Sequence, residues 1–260
     1  MEDQDRYANV IFLYAVLPLL KVIVESDVQL SGKFQGKTAI FQVSALDSTG
    51  KKGMHFEVNE GQWTVHKSIV EKADVELEFQ SVPLLNGFFK GTSKKLPKIK
   101  GIHKLGLLIP FMRALLKMAK LLGYKTPPED EAIKKLLVKL YFYLLSSGIS
   151  QLNKAGHPEI ATWVKRSPDR VYAWTVNGDE DMSAYLRIKA GNSKASRGLY
   201  KRSKPFFTMR FDSTDSALGI LMEIDDMIDS TVKGKLVMEG APEFGAQLGI
   251  YMGIVGSYAK

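Results

Sequence analysis

The residues of this chain that could do chemistry are few and scattered. Four histidines, His55, His66, His103 and His157, lie in unrelated contexts, and none is spaced from another as metal ligands are. His55 and His66 straddle a predicted hairpin and can meet across it, as a surface pair rather than a zinc site. Glu223, Asp225, Asp226 and Asp229 are spread around a predicted helix by its period, and no calcium-loop glycine follows them. They read as a solvated acidic face. There is no cysteine, which excludes disulfides, thiolate metal sites and thiol nucleophiles and fits a reducing compartment. No Ser-His-Asp order, phosphate-cradling glycine loop or dinucleotide fingerprint is present. The expectation is a protein that is not an enzyme and holds no metal and no cofactor.

What remains is apolar and basic surface. Residues 102–122 form a predicted helix carrying Leu105, Leu108, Ile109, Met112, Leu115, Leu116 and Met118, more apolar surface than one core stripe requires. Such a helix either packs on two sides or lines a cavity, and Leu and Met side chains suit both. On the same helix Arg113, Lys117 and Lys120 recur at helical spacing, with Lys104 a few turns away. This stripe is either a solvated face or a surface for an anionic headgroup layer. The formal net charge is +8, and residues 79–128 hold ten Lys or Arg and no Asp or Glu. Nucleic acid is disfavoured as the partner: Phe88, Phe89 and Phe111 occupy core-like positions instead of forming a stacking platform, and no nucleic-acid-binding motif appears.

The elements that must position these residues occur twice. From Thr38 the chain runs TAIFQV, a loop, HFEVNEGQWTV, ADVELEF, an apolar stretch, PKIKG and an apolar tail. From Val171 it runs VYAWTV, a loop, AYLRIKAGNSKAS, PFFTMRF, an apolar stretch, GKLVMEG and a second apolar tail. Gly61 matches Gly191, Phe79 matches Phe211 and Gly101 matches Gly240. The pattern predicts strands at 38–46, 54–58, 63–66, 74–79 and 96–100, with 47–53 a polar hairpin loop. In the fourth of these, Val75, Leu77 and Phe79 take one face and Glu76 and Glu78 the other, which makes it half-buried. A first helix covers residues 6–25 and is largely buried. Its apolar run 10–20 is short for a membrane span, is interrupted by Pro18 and follows an acidic start, so a cytoplasmic protein is expected. Residues 82–89 make a short helix, and the linker YKTPPED follows the basic helix.

The second half predicts helices at 131–145 and on to 164, strands at 171–176, 185–189, 194–197, 206–211 and 235–239, and helices at 215–228 and 244–258. Ser213 or Thr214 caps the first of the last two. The interval from Phe211 to Gly240 is seven residues longer than that from Phe79 to Gly101, so the first copy lacks about two helical turns. Phe244, Leu248, Tyr251, Met252 and Val255 share a side of the final helix. Gly245, Gly249, Gly253 and Gly256 give it either tight docking or room for a ligand.

A strand opening with Ala73-Asp74, then an apolar helix, a G-K-L-x-x-x-G strand and an amphipathic C-terminal helix resembles the sterol-carrier-protein type-2 family. The second copy carries Gly234, Lys235, Leu236 and Gly240. The first keeps Lys98, Ile99, Lys100 and Gly101 but has Pro97 inside the motif. The resemblance implies two tandem α+β domains, 1–126 and 127–260, each a mostly antiparallel sheet of about five strands with helices on one face, paired as an internal pseudo-dimer. It also implies carriage of a fatty acyl, isoprenoid or sterol-like lipid in a tunnel between sheet and helices. The residues expected to line it are Leu84, Phe88, Leu108, Met112 and Leu116 in the first copy. In the second they are Leu218, Leu221, Met222, Phe244, Leu248 and Met252. The alternative is a non-catalytic module docking on a lipid-modifying enzyme or an anionic membrane through Lys104, Arg113, Lys117 and Lys120, so that the protein is peripheral at the membrane.

Overall fold

Alternating apolar residues build the sheet of each half. In the computed structural model, which describes residues 3–259, the first half pairs β1 (Ala39–Asp47), β2 (Gly50–Asn59), β3 (Gln62–His66), β4 (Val75–Phe79) and β5 (Lys98–Lys100) in the order β3-β2-β1-β4-β5. The second half pairs β6 (Arg170–Val176), β7 (Asp179–Lys189), β8 (Asn192–Arg197), β9 (Phe207–Phe211) and β10 (Leu236–Glu239) in the order β10-β9-β6-β7-β8, which is the same order read from the other edge. In both sheets only the central pair is parallel, β1 with β4 and β6 with β9. The architecture is α+β, two mostly antiparallel five-stranded sheets with helices packed on them. The chain divides into two compact units, Met1–Lys120 with Tyr258–Lys260, and Leu121–Ser257.

Register makes the correspondence residue-specific. Phe41 opposes Val75 as Tyr172 opposes Phe207, and Ala45 opposes Phe79 as Val176 opposes Phe211. The hairpins β2–β3 and β7–β8 turn through Glu60-Gly61 and Ala190-Gly191, all four at positive φ (50°, 83°, 49° and 75°). Two consecutive positive φ values give the turn whose twist matches the flanking strands.

In the first unit the helices are α1 (Asp3–Ile11), α2 (Leu19–Ser26), α3 (Val28–Gly32), α4 (Val82–Lys90) and α5 (Leu105–Leu122). The single first helix expected from the sequence is broken. Pro18 has no N–H to donate and its ring crowds the preceding turn, so Phe12–Val16 loosens into a π turn closed by Leu17 N–H on the Phe12 carbonyl at 2.9 Å. The helical stretch Asp3–Ser26 is long and apolar enough by length and composition to cross a membrane, and 78% of its apolar window is buried within the protein. The core face of the sheet meets α5 through Phe41 and Phe111, whose rings stack at 4.7 Å. Phe34 and Trp63 extend this cluster with ring centroids 4.9 Å apart.

Two strand expectations need correction. Residues 47–53 are no loop: only Ser48 and Thr49 turn between Asp47 and Gly50, and β2 starts at once. The polar residues stay in the ladder because Lys51 reaches Glu76 on the outer face and Lys52, on the opposite face, pairs with Asp47. Nor is β4 half-exposed. Glu76 is buried, accepting from Gln42 Nε2 at 2.8 Å, Ser44 Oγ at 2.6 Å and Lys51 Nζ at 2.8 Å, with Lys100 Nζ 3.0 Å away.

The second unit holds α6 (Glu131–Lys154), α7 (Pro158–Arg166), α8 (Thr214–Leu221), α9 (Met227–Val232) and α10 (Pro242–Ala259). The first of these runs on past residue 145 without a break and stops at Gly156, whose φ of 76° closes the end as His157 N–H reaches back to the Leu152 carbonyl. Pro158 then opens α7 at a position where its missing N–H costs nothing. The helix expected over 215–228 is two helices. Ser213 caps α8, the N–H groups of Ile224 and Asp225 close it on the Gly219 carbonyl, and Asp226 caps α9 by accepting from Ile228 and Asp229. The extra length thus holds a separate short helix of six residues, α9. Tyr172, Trp174, Phe207, Met209 and Phe211 form the inner face of this sheet, with Phe142 of α6 stacked on Phe211 at 5.8 Å.

Candidate functional site: an aromatic cleft in the second unit

A cleft of about 780 Å³ opens between α7, the start of β6 and α10. The apolar face of α7 fixes one wall: Ile160 and Val164 are buried, which turns Trp163 and, a turn on, Arg166 toward the opening. Ser167 and Pro168 end that helix and lead into β6, whose first residue, Arg170, forms the base. Phe244, Gln247 and Tyr251, one helical turn apart, form the opposite wall.

The rings are in mutual contact. Trp163 meets Tyr251 at 4.6 Å and Tyr172 at 5.2 Å, and Phe206 meets Phe244 edge-on at 4.8 Å. The Arg170 guanidinium carbon lies 3.8 Å above the Phe206 ring and 5.0 Å from that of Phe244, a cation against two aromatic rings. Gln247 Nε2 donates to the Tyr251 hydroxyl at 3.1 Å. Burial pushes the Tyr251 hydroxyl above its ordinary pKa, with Gln247 working against that shift. Burial pushes His157 below its ordinary value, opposed by Glu159, so the imidazole is neutral near pH 7. Tyr172 is 1% exposed, and its hydroxyl has no hydrogen-bond partner among the described residues.

Phe244 alone of the expected second-copy residues lines this cleft. Leu218, Leu248 and Met252 pack in the core, Met252 accepting from the Trp174 indole N–H at 3.5 Å, while Leu221 and Met222 are half-buried. The glycines of α10 serve close packing at two positions and line the cleft at none. A side chain on Gly245 or Gly249 would meet Met238 and Phe207, or Met227, whereas nothing lies within 4 Å of one on Gly253. In the first unit Leu84 lines a smaller hollow of about 290 Å³ with Phe79, Gln80, Lys95 and Leu96. Phe88 packs on Phe79 at 5.3 Å, Leu108 is buried, Met112 is half-buried and Leu116 is 66% exposed.

The four basic residues separate into pairs. Lys104 holds Asp74 at 2.5 Å and Lys117 pairs with Asp27, whereas Arg113 and Lys120 are exposed and have no ion pair among the described residues. Burial tends to raise Asp74, but Lys104 and the Ile40 N–H outweigh it and its pKa is lowered. The Lys117 ammonium lowers Asp27. His55 and His66 do meet across the hairpin, rings stacked at 4.6 Å, but not as a surface pair: His55 is buried, its Nδ1 2.6 Å from the Ser68 carbonyl, while His66 Nε2 lies 3.3 Å from Glu57. Among the described residues no group of three acidic or histidine side chains is placed to hold a metal.

Sequence reasoning missed Trp163, Arg166 and Arg170 of the lining and the buried Tyr172 ring behind Trp163. The available signal was WVKRSPDRVY, two arginines and two rings around a helix-ending proline.

Compared with family models and with curated proteins, the sequence matches none. Among solved structures the chain is similar to a palmitated SCP2L2 from Aedes aegypti, at 15% identity and a TM-score of 0.29, over 42% of this chain and 90% of that one. It is similar to the conserved hypothetical protein TT1886 of Thermus thermophilus, a suggested sterol carrier protein, at 16% identity and a TM-score of 0.30, over 47% of this chain and 85% of that one. A double mutant of the sec-alkyl sulfatase PisA1 is similar at 19% identity and a TM-score of 0.31, over 55% of this chain and 21% of that one.

Proposed function

We propose that this chain is two copies of a sterol-carrier-type domain and that it binds and carries a hydrophobic small molecule without altering it chemically. The observation that carries the reading is the cleft of about 780 Å³ walled by Trp163, Phe244 and Tyr251, a volume within the range of small-molecule sites. An acyl or isoprenoid chain laid along these rings gains about 0.8 kcal/mol for each CH₂ removed from water, so it is retained without specific polar contacts. Native mass spectrometry of the full chain, followed by organic extraction, is the test. One lipid per chain is expected, from expression or on adding a single-chain lipid, with Phe244→Ala weakening binding about tenfold through lost apolar contact. A clean apo mass that ignores added fatty acids and isoprenoids would sink the reading.

A second reading, docking on an anionic membrane, is favoured by one observation. The outward face of α5 is apolar too: Leu105, Ile109 and Leu116 are 55%, 47% and 66% exposed, flanked by Arg113 and Lys120. That answers why the helix carries more apolar residues than its core stripe needs. Sedimentation with vesicles should show binding to anionic but not zwitterionic bilayers. Arg113→Gln with Lys120→Gln should weaken it roughly tenfold or more, at about 1 kcal/mol per basic residue. Equal sedimentation of the double variant and the native chain would remove this reading.

A further inference from the structure

Resting on the carriage reading, we infer that the ligand of the second-unit cleft is an amphiphile with an anionic head, carboxylate or phosphate, seated on Arg170 with Arg166 at the rim, and that the first unit has no equivalent site. Arg170 is the key. Its guanidinium is held by the rings of Phe206 and Phe244, yet it has neither a hydrogen bond nor an ion pair among the described residues. Ring stacking leaves the in-plane N–H donors of an arginine unused, and these are the groups that grip a carboxylate or phosphate in a two-pronged fashion. The neighbouring carboxylate cannot serve them: Asp169 is engaged by Arg187 through Nε at 3.1 Å and Nη2 at 2.7 Å. Glu159 is the one acidic residue of the lining, against Arg166 and Arg170. Charged donors at the base and apolar rings up both walls fit a molecule that is anionic at one end and hydrocarbon at the other.

The first unit shows the alternative arrangement at matching positions. Asp74 N–H bonds the Ile40 carbonyl at 2.9 Å as Phe206 N–H bonds that of Val171 at 2.9 Å, so Asp74 stands where Phe206 does and Ala39 where Arg170 does. There the anion is part of the chain: Asp74 accepts from the Ile40 N–H at 2.8 Å and pairs with Lys104. The cation that an incoming head would need is absent at that position.

The test is calorimetric titration of the full chain with dodecanoate, dodecyl phosphate, dodecanol and inorganic phosphate, below the micellar concentrations of the chains. Both anionic chains should bind at least tenfold more tightly than dodecanol, the scale of a charge-assisted hydrogen bond. Arg170→Gln should weaken the anionic chains about tenfold more than it weakens dodecanol, and Arg170→Lys should restore part of the difference. If Arg170→Gln does not fold, Arg166→Gln reads the same preference from the exposed rim. A larger effect with dodecanoate or with dodecyl phosphate identifies the head. Equal affinity for dodecanol and the anionic chains overturns the anionic head while leaving carriage standing. Inorganic phosphate binding as tightly as dodecyl phosphate overturns the amphiphile. Failure of all four probes to bind overturns carriage and this inference together.

Discussion

Gly101→Ala is expected to destabilise the protein by about 4 kcal/mol, near the upper end of what single substitutions do. Two effects add at this position. The backbone sits at φ +77°, where an L side chain costs roughly 1–2 kcal/mol. A Cβ there would also lie 1.9 Å from the carbonyl oxygen of Asp74. That oxygen cannot retreat, because Asp74 is tied to Ile40 through both its N–H and its carboxylate and to Lys104 through its side chain. Gly91 provides the control: its φ is +73° but nothing lies within 4 Å of an added Cβ. Gly91→Ala should therefore show only the backbone cost of about 1–2 kcal/mol. Urea titration of both variants separates the two effects, and equal losses would refute the close approach at Gly101.

Glu76→Ala is expected to cost about 3 kcal/mol above pH 5 and much less near pH 2. Burial works to raise the carboxyl, but hydrogen bonds from Lys51, Ser44, Gln42 and Lys100 overcome it and hold its pKa at about 2, down from 4.5. Each tenfold difference in proton affinity between the folded and unfolded states corresponds to about 1.4 kcal/mol favouring the charged form in the folded protein. A group whose folded pKa is depressed stabilises the fold fully above its unfolded value. That stabilisation disappears as the pH falls through the folded value, here between about 4.5 and 2. The native protein should therefore lose stability across this window, and Glu76→Ala should show a shallower loss. Parallel urea titrations at pH 7 and pH 3 check this. A native protein and variant that lose stability equally across the window would show that Glu76 is not held in this way.

The parts of the fold legible in the sequence were those with strictly local causes. Alternation in VELEF and FTMRF, glycine at the two hairpin turns and Ser213 before an apolar run each act within a few residues of the structure they specify. What escaped depended on distant partners. The segment DSTGKKG looks like a loop until Glu76 and Glu78 are known to lie beside Lys51. The break after Leu221 turns through Glu223 at a φ of 60° and is closed on the Gly219 carbonyl, an arrangement with no periodic signature. Of the site, Phe244 was legible through its helical face, but Trp163 and Arg170 acquire meaning only when α7 and β6 bring them beside α10, far along the chain.

The closing strand pairs of the two sheets carry their charges in inverted order, acid then base in the first and base then acid in the second, and this bears on how two such similar units avoid miswiring as they fold. In register, β5 sets Lys100 beside Glu76 and Lys98 beside Glu78, while β10 sets Glu239 beside Thr208 and Val237 beside Arg210. If the last strands traded places, Glu239 would face Glu76 and Lys98 would face Arg210, like against like on both sheets. Cross-strand repulsion of this kind is destabilising, whereas the native arrangement pairs Lys100 with Glu76 and Glu78, and Arg210 with Glu239 at 2.8 Å. Chains with two similar units are prone to exchange equivalent strands. The inverted charges disfavour that exchange at the strands that close each sheet.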